Sequence, residues 1–202
     1  MTSDRKELVL ASQNPGKLRE MRELAADLPF SVLGLRELDI HESPEETGET
    51  FLENARLKAR YFGERTGRLT VADDSGLSVD ALDGAPGLYT SRFGGPGLSD
   101  DDRNRLLLAK LSGVPDEGRG ARFTSAVVAI EAGEILFEVE RRVEGRIAQE
   151  PKGEGGFGYD PLFFYAPFGA TLACVSSELK ATVSHRGKAF AALARFLSEG
   201  VG

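Results

Sequence analysis

Leu69-Thr70-Val71-Ala72-Asp73-Asp74-Ser75-Gly76 is the stretch from which the rest of this chain is read. Leu69-Thr70-Val71 has the composition of the end of a buried strand. An acidic pair and a Ser-Gly follow it. Ionised carboxylates inside a protein need a partner or water, and glycine lets a chain turn sharply. The expectation is a strand that ends at the acidic pair. In α/β proteins, ligands bind at the carboxyl ends of strands. Successive side chains on extended backbone point to opposite sides, so only one aspartate faces a given ligand. On this reading one of the two holds a metal ion against a phosphate and the other braces the backbone. A solvated Asp-Asp turn is the plainer alternative.

On the N-terminal side, Leu8-Val9-Leu10-Ala11 reads as a short buried strand. Ser12-Gln13-Asn14-Pro15-Gly16-Lys17 leads into a helix with Leu18, Met21, Ala25 and Leu28 on one stripe. Asn14 is a good N-cap and Pro15 suits the first helical position. A strand, a small polar turn and a helix N-terminus offer free backbone N–H groups to an anion, with Lys17 adding a full charge. The turn lacks the full Walker pattern, and a capped helix with a surface lysine explains it as well. Ser31-Val32-Leu33 is a second strand. Next comes the acidic run Glu42–Glu49, ordinarily a solvated loop. Thr50-Phe51-Leu52-Glu53 reads as a capping box opening a helix to about Thr66, with Lys58 inside it and Gly67 ending it.

On the C-terminal side, Leu77–Leu82 extends as a strand. Gly84–Gly87 and Gly94–Gly97 are turns flanking Arg92. Ser99 caps a helix running to Leu111. Arg122–Glu131 and Glu134–Glu144 form a hairpin through Ala132-Gly133, half-buried by its imperfect alternation. Gly153–Pro161 packs four glycines with Phe157 and Tyr159. Glycines permit close approach, an aromatic face can stack on a planar base, and Asp160 can accept from ring N–H groups. A Gly-rich turn with a core Phe is the competing explanation. Lys180–Lys188 gathers cations and His185 at the start of a helix whose core stripe is Phe190, Leu193, Ala194 and Leu197.

The chain has 202 residues, enough for one sizeable domain or one with a smaller lobe. Its 41% apolar and 28% charged residues are those of an ordinary soluble globular protein. A net charge of −7 argues against a broad grip on nucleic acid. The single cysteine, Cys174, forbids an internal disulfide and suits a reducing compartment. Its apolar neighbours predict a buried structural thiol. No apolar run reaches the ~18 residues of a membrane span, and the polar start lacks a signal-peptide core, so the expected location is cytoplasmic.

The order of these segments is more specific than any one of them. Ser12-x-Asn14-x-x-Lys17 is followed by Gly48-x-Thr50-Phe51-x-Glu53-Asn54-Ala55-x-x-Lys58-Ala59, Asp73-Asp74-Ser75-Gly76 and Ser91-Arg92. Gly155-Gly156-Phe157-Gly158-Tyr159-Asp160-Pro161 and Ser184-His185-Arg186 close the series. Together they resemble the inosine/xanthosine triphosphate pyrophosphatase family, from Leu8 to about Leu197. The resemblance implies an elongated two-lobed mixed α/β fold, taking residues 1–202 as a single domain around a long bent mixed sheet with a cleft between lobes. It implies hydrolysis of ITP, dITP and XTP to the monophosphate and pyrophosphate, by a homodimer requiring Mg2+, with Mn2+ as a substitute. Ser12, Gln13, Asn14, Pro15, Gly16 and Lys17 become the phosphate-binding turn. Asp74 becomes metal ligand and base, Glu45 the second ligand with Glu46 open as its replacement, and Lys58 a phosphate-directed catalytic lysine. Ser75, Phe157, Gly158, Tyr159, Asp160, Lys180, His185 and Arg186 line the nucleotide pocket, with Arg186 as a reader of the base. A non-catalytic nucleotide binder, or a pyrophosphatase for modified pyrimidine or methylated nucleotides, stands as the rival. No nucleic-acid or membrane partner is expected.

Overall fold

A computed structural model describes residues 5–26 and 28–200; the polar start at residues 1–4 lies outside them. Seven strands and five α-helices make a mixed α/β fold among these residues. The strands are β1 (Lys6–Leu10), β2 (Phe30–Gly34), β3 (Leu69–Val79), β4 (Gly120–Glu131), β5 (Glu134–Ile147), β6 (Phe163–Tyr165) and β7 (Ala170–Thr171). The helices are α1 (Pro15–Leu24), α2 (Phe51–Thr66), α3 (Asp100–Lys110), α4 (Ser177–Val183) and α5 (His185–Ser198). The strands pair in the order β2-β1-β3-β4-β5-β6-β7. β1 runs parallel to both β2 and β3, whereas β5–β6 and β6–β7 are antiparallel, so the sheet is mixed as expected.

The chain divides into two compact units. The first comprises residues 1–74, 125–141 and 186–202; the second comprises 75–124 and 142–185. In the first unit, strand alternation sorts the core into two clusters. Leu8, Leu10, Leu69, Val71, Val127 and Ala129 pack with α1 and α5 through Met21, Ala25, Phe190 and Leu193. Val9, Ala11, Ala72, Ala126, Val128 and Ile130 pack with α2 through Ala55, Ala59 and Phe62. The second unit has its own core of Leu77, Val79, Leu107, Leu111, Phe123, Val143, Tyr159 and Phe163.

Helix ends follow the sequence closely. Asn14 Oδ1 accepts from the backbone of Gly16 and Lys17 at 2.8 and 3.2 Å, with Pro15 opening α1. Thr50 Oγ1 accepts from Glu53 N at 3.1 Å and opens α2, which Gly67 closes. The return half of that box goes one residue further back, from Glu49 N to Glu53 Oε2. Ser99 and Asp102 form a complete capping box on α3.

Four expectations are corrected. β3 does not stop at the acidic pair: it continues unbroken through Asp73-Asp74-Ser75-Gly76 to Val79, and Gly76 makes no turn. The buried charges are matched by partners far away in sequence, so the backbone has no need to turn out to water. The extension beyond Val79 becomes a 3-10 turn over Asp80–Leu82. β4 is buried along nearly its whole length, because it is a central strand with clusters on both faces; only β5 keeps an exposed side. Cys174 is exposed at the end of a short 3-10 turn, where Thr171 Oγ1 lies 3.2 Å from its sulfur.

The β4–β5 connection is the two-residue turn Ala132-Gly133, with φ of 52° and 86°. Two left-handed positions match the turn type that suits a hairpin's twist, which favours Asn-Gly over Ala-Gly. Ala132→Asn is expected to raise unfolding stability by about 0.5–1 kcal/mol, because alanine is strained in the left-handed region. Urea denaturation measures it; an unchanged or lower midpoint would contradict the turn assignment.

Candidate active site

In the first unit, alternation along β3 carries the two aspartates to opposite faces. Asp73 shares parity with Leu69 and Val71 and faces α1 and α5; Asp74 shares parity with Ala72 and faces α2. Asp73 has no solvent exposure. Its Oδ2 lies 2.7 Å from Lys17 Nζ and accepts from Arg186 Nε at 3.3 Å, while Ser125 Oγ donates to Oδ1 at 2.5 Å. Burial alone would raise this carboxyl, but the Lys17 and Arg186 charges hold it far below the usual carboxylate range. Arg186 also pairs with Glu20 through Nη1 at 2.5 Å.

On the other face, Lys58 Nζ lies 2.6 Å from Asp74 Oδ1 and 2.9 Å from Glu46 Oε1. Burial raises Asp74 above its ordinary value, outweighing the opposing pull of Lys58 and Lys17. Burial pulls Lys58 down, yet Asp74 and Glu46 together lift it above its ordinary value. Lys17 falls below its own, chiefly through burial, with the Lys58 and Arg186 charges adding to the lowering. Both lysines then meet at one atom. The Asp73 carbonyl oxygen accepts from Lys17 Nζ at 3.2 Å and from Lys58 Nζ at 3.1 Å. Two ammonium groups, from helices against opposite faces of the strand, share a single backbone acceptor.

The turn before α1 presents less backbone to an anion than its sequence promised. Asn14 takes the Gly16 and Lys17 N–H groups, Ser12 Oγ accepts Asn14 N at 3.2 Å, and Gln13 Nε2 donates to Ile40 O at 3.0 Å. Pro15 has no N–H to give. The charged group that this turn offers to an anion is the Lys17 side chain. Of the two adjacent acids, Glu46 reaches Lys58, whereas Glu45 is exposed.

The second unit carries a separate cluster. Asp160 Oδ2 accepts from Phe157 N at 2.8 Å and from Lys180 Nζ at 2.6 Å. Asp160 and Lys180 are both buried, and the Lys180 ammonium stands 5.1 Å from the centre of the Phe157 ring, within cation–π range. Gly156 adopts φ of 72°, and a β-carbon there would lie 2.1 Å from Asp160 Oδ2; only glycine fits. Tyr159 is buried, donates to Thr90 O at 3.2 Å, and burial pushes its hydroxyl well above the ordinary phenol range. His185 stacks on Phe123 at 4.7 Å between ring centres. Ser75, next to Asp74 on β3, is half-buried.

The structure thus brings Lys17, Lys58, Asp73 and Asp74 together with Arg186, with Glu46 of the two acids left open, and, as additions, Ser125 and Glu20. Phe157, Asp160 and Lys180 form the second group. Ser125 carried no signal of its own beyond matching β4 parity with Val127. Glu20 lies one helical turn past Lys17 and had a detectable i, i+3 spacing.

A family model described as the Ham1 family matches residues 8–196. The chain is 47% identical over 186 residues to the dITP/XTP pyrophosphatase of Yersinia pseudotuberculosis, covering 90% of this chain and 93% of that protein. It is 41% identical over 192 residues to the dITP/XTP pyrophosphatase of Bacillus subtilis, covering 95% and 97%. Among solved structures, a HAM1 protein from Coxiella burnetii superposes with a TM-score of 0.86 at 40% identity, covering 96% of this chain and all of that one.

Asp73→Asn leaves Lys17 and Arg186 short of a buried counter-charge and is expected to cost about 3–5 kcal/mol of unfolding stability at pH 7. Because the folded pKa of Asp73 is depressed, its contribution is complete above the unfolded value of about 3.9 and is lost as pH falls below it. The gap between wild type and variant should narrow progressively as pH falls below about 4 in urea titrations at several pH values. A gap that widens in acid would contradict the assignment.

Proposed function

This chain belongs to the Ham1 family, and we propose that it hydrolyses dITP, XTP and ITP to the nucleoside monophosphate and pyrophosphate, clearing deaminated purines from the nucleotide pool. One observation carries the reading: Lys17 and Lys58 converge on the Asp73 carbonyl, beside the Asp74 and Glu46 carboxylates. A triphosphate brings about four negative charges, and its cleavage depends on positioning and charge neutralisation rather than on covalent help from the protein. Two gathered ammonium groups suit that tail.

Among the described residues, no group of three or more His, Cys, Asp and Glu side chains is placed to hold a metal ion. Glu46 and Asp74, however, are two carboxylates drawn together by one ammonium. Magnesium usually takes one or two carboxylates, with phosphates and water completing its shell, so this pair fits it. Glu46 and Asp74 would hold the ion, with manganese as its substitute. When bound, it supplies charge neutralisation at the phosphates and acidifies water. Asp74, already raised by burial, is the group to take the proton from the attacking water. Water oxygen bonds to phosphorus, the bridging P–O bond breaks, and pyrophosphate leaves while Lys17 and Lys58 hold its charge.

Phe157, Asp160 and Lys180 are the candidate readers of the purine. Inosine and xanthosine carry a 6-oxo group and a protonated N1, which match an ammonium donor and a carboxylate acceptor. Adenine's amino group would stand unmatched at a cost of ~1–3 kcal/mol. The contacts of Arg186 with Asp73 and Glu20 favour a bracing role over direct reading of the base. The working form in this proposal is a cytoplasmic homodimer. No described helix is long and apolar enough to cross a membrane, and the charge of −7 disfavours nucleic acid as a partner.

Asp74→Asn is expected to reduce pyrophosphate release from dITP by about a hundredfold or more, while the nucleotide Kd changes by less than about tenfold. Retention of over a tenth of wild-type kcat contradicts the assigned role. Glu46→Gln should raise the magnesium needed for half-maximal rate by about tenfold, with Glu45→Gln close to wild type. The reverse order would return the ligand to Glu45. A panel of dITP, XTP, dATP, dUTP and methylated dNTPs decides the substrate class; faster turnover of the pyrimidine or methylated compounds overturns it.

A further inference from the structure

We propose that helix α3 is the positioning element of the base-reading loop, acting through Asp100 and Asn104 on the single peptide unit pair of Gly158; this rests on the function proposed above. Asp100 and Asn104 are four residues apart and share one face of α3. Asp100 Oδ2 accepts from Gly158 N at 2.9 Å, and Asn104 Nδ2 donates to Gly158 O at 3.0 Å. Donor and acceptor of one glycine are therefore both held by one helical turn.

The helix end needs neither residue for its own capping. Ser99 Oγ accepts from Asp102 N at 3.1 Å, and Asp102 Oδ2 accepts from Ser99 N at 3.0 Å, so the box is closed by other side chains. Asn104 is 4% exposed, although an asparagine ordinarily prefers the surface. Gly158 sits at φ of 63°, between Phe157 and Tyr159. Left-handed backbone of this kind is readily adopted by glycine, but nothing intrinsic holds it there. The clamp supplies that hold. The neighbouring residues are pinned as well: Phe157 N to Asp160, Asp160 to Lys180, and Tyr159 to the Thr90 carbonyl. Gly158 is the point at which α3 fixes this tight loop, and with it the orientation of the Phe157 ring.

A positioning role predicts a change in substrate binding and base preference, not in the chemical step. The exposed position Asp100 is the safer one to vary. In Asp100→Ala, KM for dITP should rise about five- to tenfold with kcat within about twofold of wild type, and the dITP-to-dATP ratio of kcat/KM should fall. Asp100→Asn keeps an oxygen acceptor and should restore KM to within about twofold. Asn104→Leu, which removes the donor, should reproduce the alanine phenotype if it folds. Amide exchange of Gly158, followed by NMR, reads the clamp without substrate: it should accelerate in Asp100→Ala and return to the wild-type rate in Asp100→Asn. Unchanged exchange in Asp100→Ala, a loss confined to kcat, or failure of Asp100→Asn to rescue would each overturn the proposal. If wild type releases no pyrophosphate from dITP, the proposed function fails while the exchange experiment still decides the clamp.

Discussion

A carboxylate with no access to water is the constraint around which the first unit is arranged. Asp73 lies inside β3 at 0% exposure, where an unpaired charge would be prohibitively costly. Its ionised form persists because Lys17 from α1, Arg186 from α5 and the Ser125 hydroxyl from β4 converge on its two oxygens. Three separate elements are thereby tied to one strand position. Removal of Asp73 or of either cation leaves buried charge short of a partner, and removal of the Ser125 hydroxyl takes a hydrogen bond from the carboxylate.

The period of two along a strand converts that constraint into a site. Asp73 turns to one face and is consumed by structural pairing; Asp74 turns to the other and meets Lys58 and Glu46. The peptide between them remains in the plane of the strand, and its carbonyl is the atom both lysines reach. The chemistry assigned to Asp74 therefore leans on the burial of Asp73. A lysine held by a buried partner has little rotamer freedom left to lose when phosphate arrives, which favours binding.

Much of this was legible in the sequence. Asn14, Thr50 and Ser99 marked three helix starts, and apolar stripes identified which helix faces were buried. The motif order pointed to the family, and the opposed directions of Asp73 and Asp74 followed from strand geometry alone. The strand's continuation through Asp-Asp-Ser-Gly was hidden, because the charges that permit it come from 56 and 113 residues away. Local composition read as a break where tertiary pairing supplied the compensation. Glu45 and Glu46 could not be told apart for a related reason: which of two adjacent acids turns inward depends on how the loop meets Lys58. The exposure of Cys174 was misread because apolar neighbours signal burial only within a regular element, and this residue ends a 3-10 turn. Ser125, Asp100 and Asn104 belong to the same class, their roles set by what the fold brings opposite them.

A crystal structure with a dITP analogue whose α,β-bridging oxygen is replaced by an uncleavable imido group shows whether the two lysines beside the acidic pair receive the polyphosphate. The polyphosphate is expected within hydrogen-bond reach of the Lys17 and Lys58 ammonium groups, with Asp73 still buried against Arg186 and Ser125. Phosphates bound away from both lysines, or a Lys17 that leaves Asp73 without a counter-charge, would contradict it.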